Sequence, residues 1–324
     1  MQEKAVVFPG QGSQRPGMGR DVHQLEPAAK AAFEEASDAL SIDVAALCFG
    51  PTGGDQAVAT GDAERLALTE FAQPAILTAE IALLRFLESR GFEFGPVGGH
   101  SLGEYSALVA AGVIPLAEAA SLVRERGRLM QEAVPAGEGG MTALVGRDLD
   151  AAAVERCAQD ASVDIANHNS ADQIVLSGRL EELQAACEAV RALPGHERVR
   201  AMPLRVSAPF HSRHMRPVAD SLRSLLEASA PTWDVSEAPR VLSNADGGFH
   251  NSSAESLVDA LCRQVAAPVR WLDNMRALSG AASAIVEVGP SAPLGAFFKR
   301  EGVSTSAVTT AEAAEDAAAL ASPA

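Results

Sequence analysis

The short motif Gly99-His100-Ser101-Leu102-Gly103 constrains the fold of this chain more than any other feature. It matches the pattern G-x-S-x-G and lies between an apolar stretch typical of a buried strand and an alanine-rich stretch typical of a helix. The glycines allow a turn too tight for larger residues, and that turn exposes the serine hydroxyl above the helix N-terminus. There the helix dipole and the Leu102 N–H favour a developing oxyanion. The motif therefore predicts an α/β-hydrolase-like α/β fold with a parallel sheet and a nucleophilic Ser101.

A different pattern begins at Met141, where short apolar runs alternate with helical segments in a compact order. The sequence predicts strands at 141–146, 163–167, 174–177 and 198–204, and helices at 149–160 and 180–193. This β-α-β-β-α-β order is typical of a ferredoxin-like unit. We therefore expect a small ferredoxin-like domain at 138–205, inserted into a large catalytic α/β domain formed by 1–137 and 206–324.

The rest of the chain has the strand and helix patterns of the larger unit. The sequence predicts strands at 4–8, 241–244 and 284–288, and helices at about 24–40, 70–90, 101–112, 115–135, 213–229, 253–265, 270–278 and after Pro293. Residues from about 310 onward are rich in Ala, Thr and Glu. Their pattern leaves a last helix and a frayed tail equally open.

Composition excludes several classes of function. No stretch of the 324 residues approaches the roughly 18 consecutive apolar residues of a membrane helix. A formal net charge of −16 argues against nucleic acid as a partner, because phosphate binding relies on clustered Lys and Arg. The four cysteines form no C-x-x-C pair and lie near no histidine cluster, so no metal site and no disulfide framework is expected. The N-terminus lacks a secretory signal core, and we expect a cytoplasmic protein.

A nucleophilic serine needs a general base, usually a histidine. Of the seven histidines, His100 adjoins Ser101 across a sharp turn, where neighbouring side chains point apart, so a structural hydrogen bond is expected of it. His211 and His214 lie where the chain re-enters the large domain, in a turn followed by a predicted helix. The residues alone leave the base role open between these two.

One arginine in the helix predicted after Pro115 lies near its buried face. On an ideal helix the apolar stripe of that segment is centred about 70° from Arg126 and about 90° from Arg124. A guanidinium there could bind a carboxylate through two parallel hydrogen bonds. Spacing alone slightly favours the alternative, a surface arginine whose stem covers apolar area.

The motifs together resemble one family, the malonyl-CoA:acyl carrier protein transacylases, which includes the discrete acyltransferases of polyketide synthases. The resemblance runs in one order from about residue 4 to 300. It is carried by Phe8-Pro9-Gly10-Gln11-Gly12-Ser13-Gln14, Gly99-His100-Ser101-Leu102-Gly103-Glu104, Arg126-Gly127, Met130-Gln131, Ile165-Ala166-Asn167, Asn169-Ser170, Phe210-His211, Gln264, Pro268-Val269 and Glu287-Val288-Gly289-Pro290.

The resemblance implies the chemical roles at the matching positions. Ser101 would be the nucleophile, His211 rather than His214 its base, and Gln264 the residue whose carbonyl holds the other imidazole nitrogen. Gln11, by its amide or its backbone N–H, and the N–H of Leu102 would form the oxyanion hole.

The resemblance also implies the substrate and the partner. Arg126 would bind the malonyl carboxylate, and Phe210 and Asn167 would contribute to the substrate site. Phe210 before the base and the aliphatic Leu102 after the serine go with malonyl rather than methylmalonyl in the polyketide relatives. The implied substrates are malonyl-CoA and the phosphopantetheine thiol of an acyl carrier protein, with no tightly bound cofactor, no metal and a monomeric chain. The pathway, fatty-acid or polyketide synthesis, stays open.

Three other functions compete with this interpretation. An α/β-hydrolase esterase or thioesterase shares the serine turn, but it needs an acid and a donor loop of the H-G-G-G type, which the sequence lacks. A relative that hydrolyses acyl thioesters would not need the carboxylate receptor Arg126. A non-catalytic module that docks a carrier protein would not need Ser101, His211 and Gln264 together.

Overall fold

The computed structural model describes residues 3–50, 64–135, 137–206 and 208–319, which form two main sheets and the helices that cover them. The strands are β1 (Lys4–Phe8), β2 (Val97–Gly99), β3 (Gly139–Val145), β4 (Asp164–Ser170), β5 (Gln173–Arg179), β6 (Arg200–Pro203), β7 (Leu242–Ser243), β8 (Gly248–Phe249), β9 (Ala284–Val288) and β10 (Thr305–Val308).

The α-helices follow the same order along the chain. They are α1 (Arg20–Leu25), α2 (Pro27–Leu40), α3 (Val44–Phe49), α4 (Thr69–Ser89), α5 (Gly103–Ala110), α6 (Leu116–Glu132), α7 (Ala151–Asp160), α8 (Leu180–Arg191), α9 (Arg216–Ser229), α10 (Ala254–Ala266), α11 (Trp271–Ala281), α12 (Gly295–Arg300) and α13 (Ala311–Ala319).

The larger sheet is parallel and has the strand order β10-β9-β1-β2. Side chains of the central strand β1 alternate between its two faces, as the pleat requires. Val6 and Phe8 pack into the core that contains α2, α4 and α6, whereas Ala5 and Val7 pack into a second core with Trp271. Because helices cover both faces, four of the five residues of β1, Ala5 to Phe8, are apolar and buried, which is typical of a parallel sheet.

The smaller sheet is antiparallel, with the order β4-β5-β3-β6. This is the strand order of a ferredoxin-like unit, and α7 and α8 cover one face of it. The backbone of its edge strand β4 is hydrogen-bonded to Val269, a residue outside the small sheet. Val269 N donates to Ala166 O at 2.8 Å, and His168 N donates to Val269 O at 3.0 Å. The predicted fold class is therefore confirmed; the limits of the small domain at 138 and 205 stay a prediction.

The structure corrects several element boundaries. The helix predicted at about 24–40 is two helices, because Glu26 is extended and Pro27 begins α2, where the missing N–H of proline costs nothing. Strand β10 was not predicted, since it is an edge strand that is partly exposed and carries no apolar run. The segment after residue 310 forms helix α13, and the last residues of the predicted tail, 320–324, lie outside the described residues.

Two further observations concern the composition. Cys48, Cys157, Cys187 and Cys262 are free thiols, and all but Cys157 are buried. Within the described ranges, no helix is long and apolar enough to cross a membrane.

Candidate active site

Ser101 lies on the turn between β2 and α5 in a left-handed backbone conformation, with φ 55°. Two glycines make this turn possible. A Cβ on Gly99 would lie 1.9 Å from the carbonyl oxygen of Gly103, and a Cβ on Gly103 would lie 2.3 Å from that of Phe8. The predicted turn from strand to helix is therefore present, with the serine at its tip. A non-glycine residue at positive φ is strained, and such residues concentrate at functional sites.

Buried side chains hold this turn from below. Asn244 Oδ1 accepts the N–H of Ser101 at 2.6 Å, and its Nδ2 donates to Gly99 O at 2.8 Å. Gln264 Nε2 donates to Ser101 O at 2.9 Å. Asn244 and Gln264 are both buried, so these hydrogen bonds face little competition from water.

His211 is the histidine that the fold brings to the serine. The Ser101 hydroxyl lies 2.8 Å from His211 Nε2, and His211 Nδ1 lies 2.8 Å from the backbone oxygen of Gln264. Since a carbonyl oxygen only accepts, Nδ1 carries the proton and Nε2 is free to accept the proton of Ser101. His214, the alternative, lies half-buried in the 3₁₀ turn Arg213–Met215, and its backbone N–H bonds Ser212 Oγ.

The local sequence explains why the Gln264 carbonyl is available. Gln264 lies in the last turn of α10, where carbonyl groups have no partner inside the helix. The residue four positions on is Pro268, which has no N–H to donate. The carbonyl is therefore free to accept from His211.

Burial sets the charge state of the imidazole. His211 is 4% exposed, and burial, followed by the positive charge of Arg126, lowers its pKa to about 3. The ring is therefore neutral near pH 7 and can act as a proton acceptor. His211 also has a positive φ, 56°, so both members of the pair adopt a conformation that side chains disfavour.

Arg126, not Arg124, points into the site from helix α6. Arg126 is 1% exposed; its Nη2 donates to Ser101 Oγ at 3.1 Å and to Gln264 Oε1 at 2.8 Å, and its Nη1 donates to Gln73 Oε1 at 2.8 Å. Its Nε has no hydrogen-bond partner among the described residues. Arg124 instead forms a partly exposed ion pair with Glu70. The slight preference that spacing gave for a surface position of Arg126 is wrong, because the helix turns this side chain fully inward.

Two backbone donors lie near the serine on different elements. Leu102 is buried at the N-terminus of α5. Gln11 follows β1, and its side-chain Nε2 donates to Thr69 Oγ1 at 3.1 Å. Because the side-chain amide of Gln11 is already hydrogen-bonded, the backbone N–H of Gln11 is the better candidate for the oxyanion donor.

A cavity of about 320 Å³ opens in front of these groups, between the two sheets. Phe210 and Asn167 both line it and are nearly buried. Among the described residues that line it, Arg126 is charged and no carboxylate occurs; the polar members are Gln11, Gln73, His100, Ser101, Arg126, Asn167, Asn169, Gln173 and His211, and the apolar ones include Leu102, Met130, Met141, Val175, Val206, Phe210 and Phe297. The site is therefore suited to a small acyl group with a negative charge.

His100 has the structural position that was expected of it. Its Nε2 lies 2.8 Å from Asn169 Oδ1, and its ring packs edge-on against Trp271. Because Asn169 belongs to β4 of the small sheet, this hydrogen bond joins that sheet to the serine turn.

Three residues of the site were missed from the sequence. Glu104 is fully buried below the turn, with Oε1 2.9 Å from His250 Nε2, while Oε2 accepts the Asn244 N–H at 3.0 Å. Glu104 directly follows the serine motif, which is the one signal that could have found it. Asn244 ends a predicted strand and His250 lies in a loop, and no local pattern links either to Ser101.

Comparison with known proteins gives one consistent result. Residues 5–317 match the family model described as acyl transferase domain. The chain is 40% identical over 308 residues to the malonyl CoA-acyl carrier protein transacylase of Escherichia coli (strain K12), covering 93% of each. It is 38% identical over 305 residues to the transacylase of the same name from Bacillus subtilis (strain 168), covering 93% of this chain and 90% of the relative.

Solved structures give the same similarity. The malonyl CoA-acyl carrier protein transacylase of Clostridium perfringens superposes with a TM-score of 0.87 at 32% identity, covering 98% of this chain and 97% of that one. A malonyl-transacylase in complex with its type II PKS acyl-carrier protein also has a TM-score of 0.87, at 36% identity, covering 98% of this chain and 99% of that one.

Proposed function

Since the chain belongs to the acyl transferase domain family, we propose that it moves a malonyl group from malonyl-CoA to the phosphopantetheine thiol of an acyl carrier protein. The observation that carries this proposal is the buried guanidinium of Arg126, 3.1 Å from the hydroxyl of Ser101, in a cavity lined by no carboxylate among the described residues. A hydroxyl nucleophile beside a fixed positive charge suits a thioester whose acyl group ends in a carboxylate.

The first half-reaction follows from the geometry. His211 Nε2 takes the proton of Ser101 as Oγ attacks the thioester carbonyl, and the N–H groups of Leu102 and Gln11 stabilise the oxyanion. The carbon–sulfur bond then breaks, and the imidazolium returns the proton to the leaving thiolate of coenzyme A. Malonyl-Ser101 and free coenzyme A are the products.

The second half-reaction reverses these steps with a different thiol. His211 takes the proton of the phosphopantetheine thiol, sulfur attacks the malonyl ester, and Ser101 leaves as the alkoxide that His211 reprotonates. Coenzyme A leaves before the carrier's arm enters the same cavity, so the kinetics are ping-pong. No cofactor beyond the substrates takes part in either half.

The electrostatics of the site favour attack when a dicarboxylic acyl group is bound. The positive charge of Arg126 contributes to the low pKa of His211. A malonyl carboxylate paired with that guanidinium offsets its charge, so the imidazole becomes a stronger base once substrate is present. A substrate without the carboxylate leaves the base weak.

Malonyl is the proposed acyl group rather than methylmalonyl. Phe210 lines the cavity together with the apolar Met130, Met141 and Val206. Its ring occupies space beside the acyl group, so a branched chain has less room. Leu102, after the nucleophile, is also aliphatic and buried.

The carrier protein fits a particular face of the molecule. With a formal net charge of −16, the chain repels acidic partners at long range unless a basic face offsets this. Arg205 is exposed between Leu204 and Val206, which line the cavity, and Arg198 and Arg200 are exposed just before and at the start of β6, whereas Arg213 is paired with Asp164 at 2.7 Å and Arg300 with Asp172 at 3.3 Å. The proposal therefore places the carrier at the three exposed arginines, with the enzyme acting as a cytoplasmic monomer.

Intact-mass measurement after mixing with malonyl-CoA tests the proposed function. A malonyl adduct that is absent from Ser101→Ala and disappears on addition of a phosphopantetheinylated carrier is the expected result. Release of free malonate without transfer would indicate a thioester hydrolase, and no reaction would indicate a docking module. Transfer rates to fatty-acid and polyketide carriers would then identify the pathway.

A further inference from the structure

The side chain of Gln264 lies at the centre of the site, although its backbone carbonyl is the part that contacts His211. The amide is 1% exposed and makes three hydrogen bonds. Nε2 donates to Ser101 O at 2.9 Å and to Glu104 Oε2 at 2.7 Å, and Oε1 accepts from Arg126 Nη2 at 2.8 Å. The side chain therefore contacts the serine turn, a buried acid and the guanidinium at once.

These partners permit one orientation of the amide. The Ser101 carbonyl and, as a carboxylate, Glu104 can only accept hydrogen bonds, so the amide nitrogen must face them. Arg126 can only donate, so the amide oxygen must face it. Turning the amide over would place oxygen against two acceptors and nitrogen against a cation, which leaves buried polar groups unpaired.

Glu104 is itself held in place on its other side. His250 Nε2 lies 2.9 Å from Oε1, and the N–H of Asn244 donates to Oε2 at 3.0 Å. Glu104 and His250 are both buried, so neither can turn toward solvent. The acid therefore fixes the direction in which Gln264 presents its oxygen.

The guanidinium of Arg126 is in turn held at both terminal nitrogens. Gln73 Oε1 accepts from Nη1 at 2.8 Å, and Gln264 Oε1 accepts from Nη2 at 2.8 Å. Two acceptors at opposite ends fix the plane of the group, while Nε is left without a partner among the described residues. A guanidinium held in this way loses little further freedom when a carboxylate binds.

We propose that the side chain of Gln264, oriented by Glu104, is a specificity-determining positioning group: it holds the guanidinium of Arg126 in the plane that receives the acyl carboxylate. This inference rests on the proposed function of malonyl transfer. It assigns Gln264 two separate roles. Its backbone carbonyl supports the base His211 for any acyl group, and its side chain supports discrimination between acyl groups.

The variant Gln264→Met separates these roles, because it keeps the backbone carbonyl and nearly the same side-chain length while it removes the amide. The measurement is kcat and KM for malonyl-CoA and acetyl-CoA. The ratio of kcat/KM for malonyl to that for acetyl should fall by about tenfold, through KM for malonyl, since the guanidinium must now be ordered by the substrate. Both substrates lose the hydrogen bond from Gln264 Nε2 to Ser101 O, so kcat/KM for acetyl should fall by the factor that this shared contact contributes, and the change in the ratio measures only the additional loss for malonyl.

Two further variants complete the experiment. Leu261→Met introduces the same residue on the same buried side of α10, away from the site, and should leave the ratio unchanged. Glu104→Asp keeps the charge but withdraws the carboxylate by one methylene, so the ratio should fall in the same direction by a smaller factor.

The outcomes distinguish this inference from the proposed function. An unchanged ratio in Gln264→Met and Glu104→Asp, or a parallel loss for both substrates, would overturn the side-chain role and leave malonyl transfer standing. A ratio that rises would show that Gln264 competes with the carboxylate for Arg126, which also overturns the inference. A wild-type enzyme that forms no malonyl adduct on Ser101 would overturn the proposed function, and the inference with it.

Discussion

Ser101 is held from several sides, whereas the imidazole of His211 is held, among the described residues, by one stretch of backbone at the end of α10. The serine turn is enclosed by glycines, and Asn244 and Gln264 bond the backbone on both sides of the nucleophile. The imidazole of His211 bonds the Gln264 carbonyl at 2.8 Å and also interacts with the backbone of Ala267, both at the C-terminal end of α10. Both residues have φ near 55°, so both need support from their surroundings. We call Ser101 with its supporting contacts the serine half of the site, and His211 with its supporting contacts the histidine half. The serine half should therefore tolerate the loss of one contact, and the histidine half should not.

Removal of the base should have the largest effect. His211→Ala should lower kcat for malonyl transfer by about 10⁴-fold, because His211 Nε2 is the proton acceptor that lies 2.8 Å from the Ser101 hydroxyl. His214→Ala, three residues on, serves as the matched control and should keep full activity. Steady-state kinetics with circular dichroism checks both variants; activity kept in His211→Ala and lost in His214→Ala would assign the base role to His214.

Removal of the cation should have the next largest effect, on selectivity. Arg126→Ala should lower kcat/KM for malonyl-CoA by about 10²-fold, which corresponds to the loss of a buried charge-assisted pair. Acetyl transfer should be far less affected, so the preference for malonyl should disappear. Arg124→Ala removes an arginine from the same helix outside the cavity and should change neither rate. If Arg126→Ala still prefers malonyl, Arg126 does not bind the malonyl carboxylate.

Loss of one contact on the serine half should have a smaller effect. Asn244→Ala removes the acceptor of the Ser101 N–H, but Gln264 and the glycines still hold the turn. We expect a fall in kcat of about tenfold and a loss of about 1–3 kcal/mol in the free energy of unfolding, measured by urea denaturation. A fall as large as that of His211→Ala would contradict the comparison between the two halves.

The pH dependence should show the smallest effect. Because the pKa of His211 is lowered to about 3, the acid limb of kcat/KM should lie well below the ordinary histidine value of about 6.5. Unfolded chains take up this proton more readily, so the contribution of His211 to stability is present above pH 6.5 and is lost as the pH falls toward 3.

A titration of the His211 ring by NMR in Ser101→Ala checks this directly. In a variant that also carries Arg126→Ala, the pKa should rise, because the second cause of its depression is removed. A midpoint at or above 6.5 in the chain that keeps Arg126 would contradict the burial argument.

The difference between the serine turn and the groups that support it explains how much of the site could be predicted from the sequence. The serine turn is local: five consecutive residues between a strand and a helix specify it, and the structure has the turn as expected. The β-α-β-β-α-β order is also carried by short-range periodicity, and it gave the antiparallel sheet correctly. The position of Arg126 was predicted only in part. Helical periodicity indicated that it lies near the buried face of its helix, but not that its side chain is fully buried.

The supporting groups are non-local and could not be derived from local patterns. His211 lies 110 residues from Ser101, and residues alone did not separate it from His214. Asn244 and His250 reach the turn through folding of distant segments, 143 and 146 residues from their partners Ser101 and Glu104. Hydrophobic patterns carry no information about such polar contacts, and resemblance to a family was needed to select His211.

A crystal structure of the chain trapped with malonyl-CoA in the absence of a carrier protein tests the central claim most directly. We expect a malonyl ester on Ser101 Oγ, with a carboxylate oxygen within about 3 Å of the Arg126 guanidinium. A malonyl group attached elsewhere, or a carboxylate directed to bulk solvent away from Arg126, would contradict the account.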